Sequence, residues 1–363
     1  PDNQITITKH ILGLVDDAIQ YTNDWIDNDL LHITNKFTDT SQTWEKLLYI
    51  SGGKLEISKC AIFVLQWDFT PEGQPFLIDN PTTDPVKIVS SETSETLIVP
   101  QMKSTDSFKY LGIKSTLTGS QQPQLSDTTA HATNGARLLS ASPFTRLHAK
   151  LYLFTHLMPK ITYPLSCASF SESQYSRLHK TFIPTAISAL GYNRHWPLAL
   201  RYGKHPYGGL QLKNCEVEAL ILKIKGLKNL LCKTETSKIV KILLYWFQHV
   251  AGTSFPILEC PPYTLEYVNS IWVLDLIRLL RKYKVAIHLE DKYLPKPQRQ
   301  NDSNIMDIAN HNITSVSTLK KINACRLYLK AQYISDIAQI SGKTLIPGVL
   351  LSLIHISEPT RLV

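Results

Sequence analysis

Asp16 and Asp17 sit side by side in the apolar run Ile11-Leu12-Gly13-Leu14-Val15-Asp16-Asp17-Ala18-Ile19. Two adjacent carboxylates in a strand-like hydrophobic segment repel each other and lose solvation, so something cationic must compensate them. The compensator is either a bound divalent ion or a buried basic side chain. Divalent ions held by paired carboxylates serve phosphoryl transfer, activating one oxygen and stabilising another. The competing explanation is an acidic turn that simply prefers water. Neighbouring strand residues point to opposite faces, whereas the tip of a hairpin lets both side chains approach one ion.

Three further motifs follow in order. The first is Trp44-Glu45-Lys46-Leu47-Leu48-Tyr49-Ile50-Ser51-Gly52-Gly53-Lys54-Leu55-Glu56-Ile57-Ser58-Lys59-Cys60. The second is Phe108-Lys109-Tyr110-Leu111-Gly112-Ile113, and the third is Tyr207-Gly208-Gly209-Leu210. With Val15-Asp16-Asp17, this order resembles the reverse transcriptases of non-LTR retroelements, read from mid-palm into the thumb and beyond, over about Ile5 to Gly342. The resemblance implies an RNA-directed DNA polymerase that extends a DNA primer or target with deoxynucleoside triphosphates on an RNA template. It makes Asp16 and Asp17 the second metal-binding element for two Mg2+ (or Mn2+) ions, with Asp16 the more direct ligand. It puts Lys59 beside the triphosphate as a general acid for pyrophosphate, with Lys54 the weaker competitor. Tyr110, Leu111 and Gly112 would form the primer grip, where a glycine lets the backbone approach closely. The family's third carboxylate and its fingers lie upstream of the Asp-Asp box, hence before Pro1, so this chain alone should not polymerise. Several family members carry a Cys/His knuckle near the C-terminus; this chain has none. The alternative is a non-catalytic nucleic-acid-binding protein from a decayed or domesticated element.

Charge divides unevenly along the chain. Residues 1–130 carry 9 Lys/Arg against 17 Asp/Glu (net −8), and residues 131–363 carry 29 against 13 (net +16). An acidic front for metal and a basic remainder for phosphate backbone suit a palm and thumb, although Lys-rich helices also serve solubility. Arg201 and Lys204 precede the Tyr207 turn, and Lys223, Lys225 and Lys228 recur at helical spacing; all five are candidate phosphate contacts. Arg278, Arg281, Lys282 and Lys284 form a similar cluster. His156, His179 and His249 lie in apolar helical stretches and read as core histidines. The six cysteines show no CxxC pairing, which suits reduced thiols in an intracellular protein of the cytoplasm and nucleus. No apolar run is long enough for a membrane helix, and no Walker loop, nucleophile elbow or dinucleotide fingerprint is present.

These groups need elements to hold them. Residues 5–22 predict a hairpin and 28–51 a helix, with Trp44, Leu47, Leu48 and Ser51 on one stripe and Gly52-Gly53 as its stop. Leu55–Phe69 predicts strands, 75–78 a hairpin partner, 79–107 a peripheral loop or ribbon, and Phe108–Ile113 a last strand. Helices are predicted over 125–141, 144–158, 171–190, 214–233, 237–250, 264–284 and 315–340, with a polar connector at 285–304. The expected fold class is α+β: a truncated polymerase palm (1–118), a mostly α-helical thumb (119–250) and a C-terminal helical region (251–350). Residues 351–363 resemble a translated sequencing adaptor and are excluded from fold reasoning.

Overall fold

The computed structural model describes residues 11–14, 17–20, 30–56, 59–69, 75–78, 84–259, 265–268, 271–289, 297, 299–339 and 344–346; for 11–14 and 17–20 it describes the backbone only. Helices predominate over a few short strands, so the chain is mixed α+β. It divides into two compact units, one within 1–120 and one within 121–361.

The first unit opens with β1 (Ile11–Leu14) and β2 (Asp17–Gln20), an antiparallel pair in which Leu14 faces Asp17. Helix α1 (Leu30–Ile50) follows. It closes as the glycine pair requires: Gly52 takes φ +83°, and the Gly53 N–H donates to the Leu48 carbonyl at 2.8 Å. Its buried face is not the predicted stripe. Leu47 is 55% exposed, while Thr34, Ser41 and Glu45 are buried. Polar side chains dock this helix. The Gln42 amide exchanges two hydrogen bonds with the Val89 backbone (2.9 and 2.7 Å), as a neighbouring strand would. The Glu45 carboxylate accepts the Ser91 N–H at 2.8 Å and its hydroxyl at 2.6 Å.

The other strands are β3 (Ile62–Phe63), β4 (Gln66–Phe69), β5 (Pro75–Ile78), β6 (Lys87–Val89), β7 (Thr96–Ile98), β8 (Gln101–Met102), β9 (Phe108–Tyr110) and β10 (Ile113–Ser115). They pair as β3 with β8, β4 with β5, β6 with β7 and β9 with β10, and no larger sheet forms among the described residues. The small core comprises Ile62, Val86, Ile88 and Val99. The stretch 79–107, expected to be peripheral, therefore supplies three of those four residues. Residues 108–113 are not one strand but most of a hairpin.

The second unit contains α2 (Gln122–Ala141), α3 (Arg146–Leu151), a π-helical segment (Tyr152–Leu157), α4 (Met158–Thr162), α5 (Glu172–Ala189), α6 (Leu198–Tyr202), α7 (Cys215–Cys232), α8 (Thr234–Ala251), α9 (Ile271–Lys282), α10 (Ile305–Asn312) and α11 (Val316–Tyr328). Local capping signals start several of them. Ser171 and Gln174 make a reciprocal capping box on α5, and the Asn214 side-chain oxygen accepts the Glu216 and Val217 N–H groups at the head of α7. One hydrophobic core runs from Ala132 to Leu319, so the helices before and after residue 250 share it. Helix α10 was not anticipated, and α11 stops well short of 340. Lys330 adopts φ +53°, and the Asp336 carboxylate takes the Gln332 and Tyr333 N–H groups instead.

The predicted helix 144–158 runs to Thr162 but widens midway, the Met158 N–H reaching the Leu153 carbonyl five residues back. Pro159 explains the widening. It has no N–H for the Thr155 carbonyl, and its ring would crowd that oxygen in a regular helix. The widened turn pushes Leu157 against Gly135 of α2, where an added Cβ would lie 2.2 Å from Leu157 Cδ1. Gly226, in the middle of α7, has nothing within 4 Å of such a Cβ. Gly226→Ala should therefore raise unfolding stability by about 0.5–1 kcal/mol through helix propensity. Gly135→Ala should lower it by roughly 1–3 kcal/mol through overpacking. Chemical denaturation of the two variants checks the opposite signs.

Candidate functional site

Asp17 is the first residue of the returning strand β2, directly opposite Leu14. Asp16 lies outside the described residues, as does the Asp17 side chain. Lys59 is exposed, its N–H donating to the Glu56 carbonyl at 3.0 Å. Lys54, its competitor, is ion-paired to Glu92 at 2.5 Å on the surface, and that bond raises its pKa above the ordinary lysine value.

Tyr110, Leu111 and Gly112 form a tighter feature than a bulged strand. Tyr110 pairs with Ile113, so Leu111 and Gly112 are the two central residues of a hairpin turn. Both take positive φ, +48° and +80°. That is the primed turn suited to strand twist, which ordinarily selects Asn-Gly. A leucine in the left-handed region costs about 1–2 kcal/mol.

The basic candidates separate into surface and interior. Arg201 turns inward: its Nε donates to the Trp196 carbonyl at 2.5 Å and an Nη to the Arg194 carbonyl at 3.2 Å. It braces the loop that Tyr207-Gly208-Gly209-Leu210 closes. Gly208 supplies the left-handed corner (φ +73°), and a Cβ on Gly209 would lie 2.0 Å from the Gly203 carbonyl oxygen. Backbone crowding thus accounts for this glycine pair. Lys204, Lys225 and Lys228 are exposed. Lys223 is not: its side chain is fully buried, which corrects its assignment as a phosphate contact.

Lys223 instead enters a network of charges joining α5, α7 and α9. Its ammonium lies 3.3 Å from the Asp275 carboxylate, donates to Ser169 Oγ at 3.0 Å and sits 4.9 Å from the Trp272 ring centroid. Trp272 is oriented by its own N–H on the Ser166 carbonyl at 2.9 Å. Asp275 also accepts Arg278 Nη2 at 2.7 Å and Nε at 3.2 Å. Arg278 continues to Glu216 at 3.1 Å and the Phe170 carbonyl at 3.2 Å. Lys282 bridges Glu216 at 2.7 Å and Glu172 at 2.5 Å, and the Tyr283 hydroxyl donates to Glu216 at 3.1 Å. Burial lowers the Lys223 pKa to about 8 against the pull of Asp275. Burial pushes Glu216 the other way, but Lys282 and Arg278 outweigh it and hold its pKa below the usual carboxylate value.

Sequence reading missed Asp275 and Glu216. The signal was available: Glu216, Ala219, Leu220, Lys223 and Leu227 share one stripe of α7, so Lys223 belongs to the apolar face. The histidines divide as well. His179 is largely buried against the Tyr202 hydroxyl at 2.5 Å, and burial drops its pKa to about 4. His249 is partly buried, and desolvation lowers its pKa too. His156 is exposed, contrary to its reading as a core residue.

No family model matches this chain, and no curated protein or solved structure matches it either. Among the described residues no three His, Cys, Asp or Glu side chains gather as a metal ion would require. No helix among them is long and apolar enough to cross a membrane. A cleft of about 360 Å³ is lined by Ser254, Asp302, Asn304, Asp307 and His311, but main-chain amides engage both carboxylates. Asp307 takes the Ser254 N–H and Asp302 takes those of Ser303 and Ser335.

The network makes asymmetric predictions. Asp275→Asn leaves Lys223 and Arg278 without their shared anion and should cost about 3–5 kcal/mol of stability. Lys223→Met keeps the volume, removes a poorly solvated cation and should be neutral or stabilising at pH 7. In wild type the folded Lys223 binds its proton less tightly than the unfolded one, so stability should rise as pH climbs from about 8 toward 10.5. The rise should be on the order of 3 kcal/mol. Cys215, its thiol pKa pushed up to about 12 by burial, opposes this above about pH 9, and Tyr175, its hydroxyl pKa also raised by burial, opposes it above about pH 10, so the readable window lies between about 8 and 9. Denaturant titrations of wild type and Lys223→Met across the window should show the rise only in wild type.

Proposed function

We propose that the chain carries the second metal-binding element, the primer grip and the thumb of an RNA-directed DNA polymerase. The observation that supports this reading is the antiparallel pair β1–β2, whose return strand begins at Asp17. In this reading Asp16 and Asp17 hold the Mg2+ ions that activate the primer 3′-hydroxyl and neutralise the triphosphate. The turn at Leu111-Gly112 supports the assignment of Tyr110, Leu111 and Gly112. A leucine kept in a left-handed conformation is strain of the kind that persists where the main chain is needed by a ligand. Exposed Lys204, Lys225 and Lys228 serve as phosphate contacts along the template–primer duplex. RNA template, DNA primer and deoxynucleoside triphosphates are the partners.

The second reading, a non-catalytic nucleic-acid-binding protein, is favoured by the positive charge of residues 131–363 alone. Joining the chain to a fingers-and-palm half from a non-LTR reverse transcriptase, then assaying primer extension on RNA, separates the two. Extension should fall at least about a hundredfold in Asp16→Asn with duplex binding retained. Extension that survives Asp16→Asn contradicts the catalytic assignment. In the same assembly, Leu111→Asn should raise stability by about 1 kcal/mol, because asparagine tolerates the left-handed turn, while weakening extension.

A further inference from the structure

We propose that the outer surface of the α3–π–α4 segment is a stacking platform for single-stranded nucleic acid. Three rings line up there. Phe144 and Tyr152 have centroids 5.7 Å apart at 40°, and Tyr152 and His156 are 5.4 Å apart at 31°. Phe144 is 37% exposed, and His156 is exposed although its sequence surroundings read as core. Tyr152 and His156 stand four residues apart, the spacing of neighbours on a helix surface, and both lie in the π-helical segment ahead of Pro159; such widened turns concentrate at functional positions.

The electrostatics select the occupant. Between Asp127 and Glu172 there is no acidic residue, a span of 44 positions (128–171), while Arg137, Arg146, Lys150 and Lys160 all fall inside it. Arg146 is committed elsewhere, its guanidinium filling the space over Gly191. Lys150 and Lys160 are exposed. Rings on a helical segment that also carries the exposed Lys150 and Lys160, within a stretch of sequence without carboxylates, suit unpaired bases on a polyanionic backbone. A duplex keeps its bases stacked on each other and gains nothing from the rings. The exposed Leu147 and Leu151 extend the apolar part of the surface without adding charge. This site does not depend on Asp16 or Asp17, so it stands apart from the polymerase reading.

The test is fluorescence anisotropy with a labelled single-stranded oligouridylate of about 20 nucleotides and a duplex of equal length, over a salt series. Wild type should bind the single strand. Phe144→Leu and His156→Ala should each weaken it about tenfold. Phe144→Tyr, which keeps a ring, should bind as wild type does, separating loss of stacking from loss of fold. Replacing Lys150 and Lys160 by Gln should lower the salt slope by about 1.4, the value for two phosphate contacts on a single strand. Wild-type affinity for the single strand in both Phe144→Leu and His156→Ala would overturn the proposal.

Discussion

The Asp275 carboxylate is the interaction on which the helical unit depends. It is nearly inaccessible to water and shared by Lys223 of α7 and Arg278 of its own helix. An ammonium with no exposed surface survives only if an anion and hydrogen-bond acceptors replace its lost hydration. Asp275 and Ser169 supply these, and the Trp272 face adds a cation–π contact. Because Arg278 and Lys282 then pass to Glu216 and Glu172, the heads of α5 and α7 are tied to α9 by charge as well as by apolar packing. Such a network contributes less to stability than to register: each helix end has one position at which every donor finds its acceptor.

This arrangement divides the positive charge of the second unit into two populations. Lys223, Arg278 and Lys282 are spent on internal carboxylates, and Arg201 on main-chain carbonyls. Lys150, Lys160, Lys204, Lys225 and Lys228 face solvent and are the ones available to a phosphate backbone. Net charge alone does not make this distinction. Two cations five residues apart on the same helix, Lys223 and Lys228, have opposite fates because one lies on the stripe of Ala219, Leu220 and Leu227 and the other does not.

Much of the fold was legible where a local chemical rule governs. The Gly52-Gly53 stop, the hairpin around the Asp-Asp pair, the Ser171 start of α5 and the helical periods of α2, α7 and α8 all follow from sequence. Reading failed where tertiary chemistry overrides local pattern. Helix α1 buries Thr34, Ser41 and Glu45 because Gln42 and Glu45 bond β6 and the turn after it, which no periodicity of apolar residues encodes. Val86, Ile88 and Val99 sit in a Ser/Thr-rich stretch whose composition suggests a loop, yet they are the core. In the candidate site, a glycine at the turn of residues 110–112 was readable, but the left-handed Leu111 beside it was not. Lys223 was misassigned because its basic neighbours were counted without weighing the apolar face it shares.

The central proposal is that Asp16 and Asp17 hold a divalent cation. Mn2+ titration of the isotope-labelled protein, with primer–template and a deoxynucleoside triphosphate present, tests it most directly through paramagnetic broadening of backbone amides. The account predicts selective loss of signals from residues 11–20, absent in Asp16→Asn. Broadening centred on the cleft of Asp302 and Asp307 instead, with the hairpin signals intact, would contradict it.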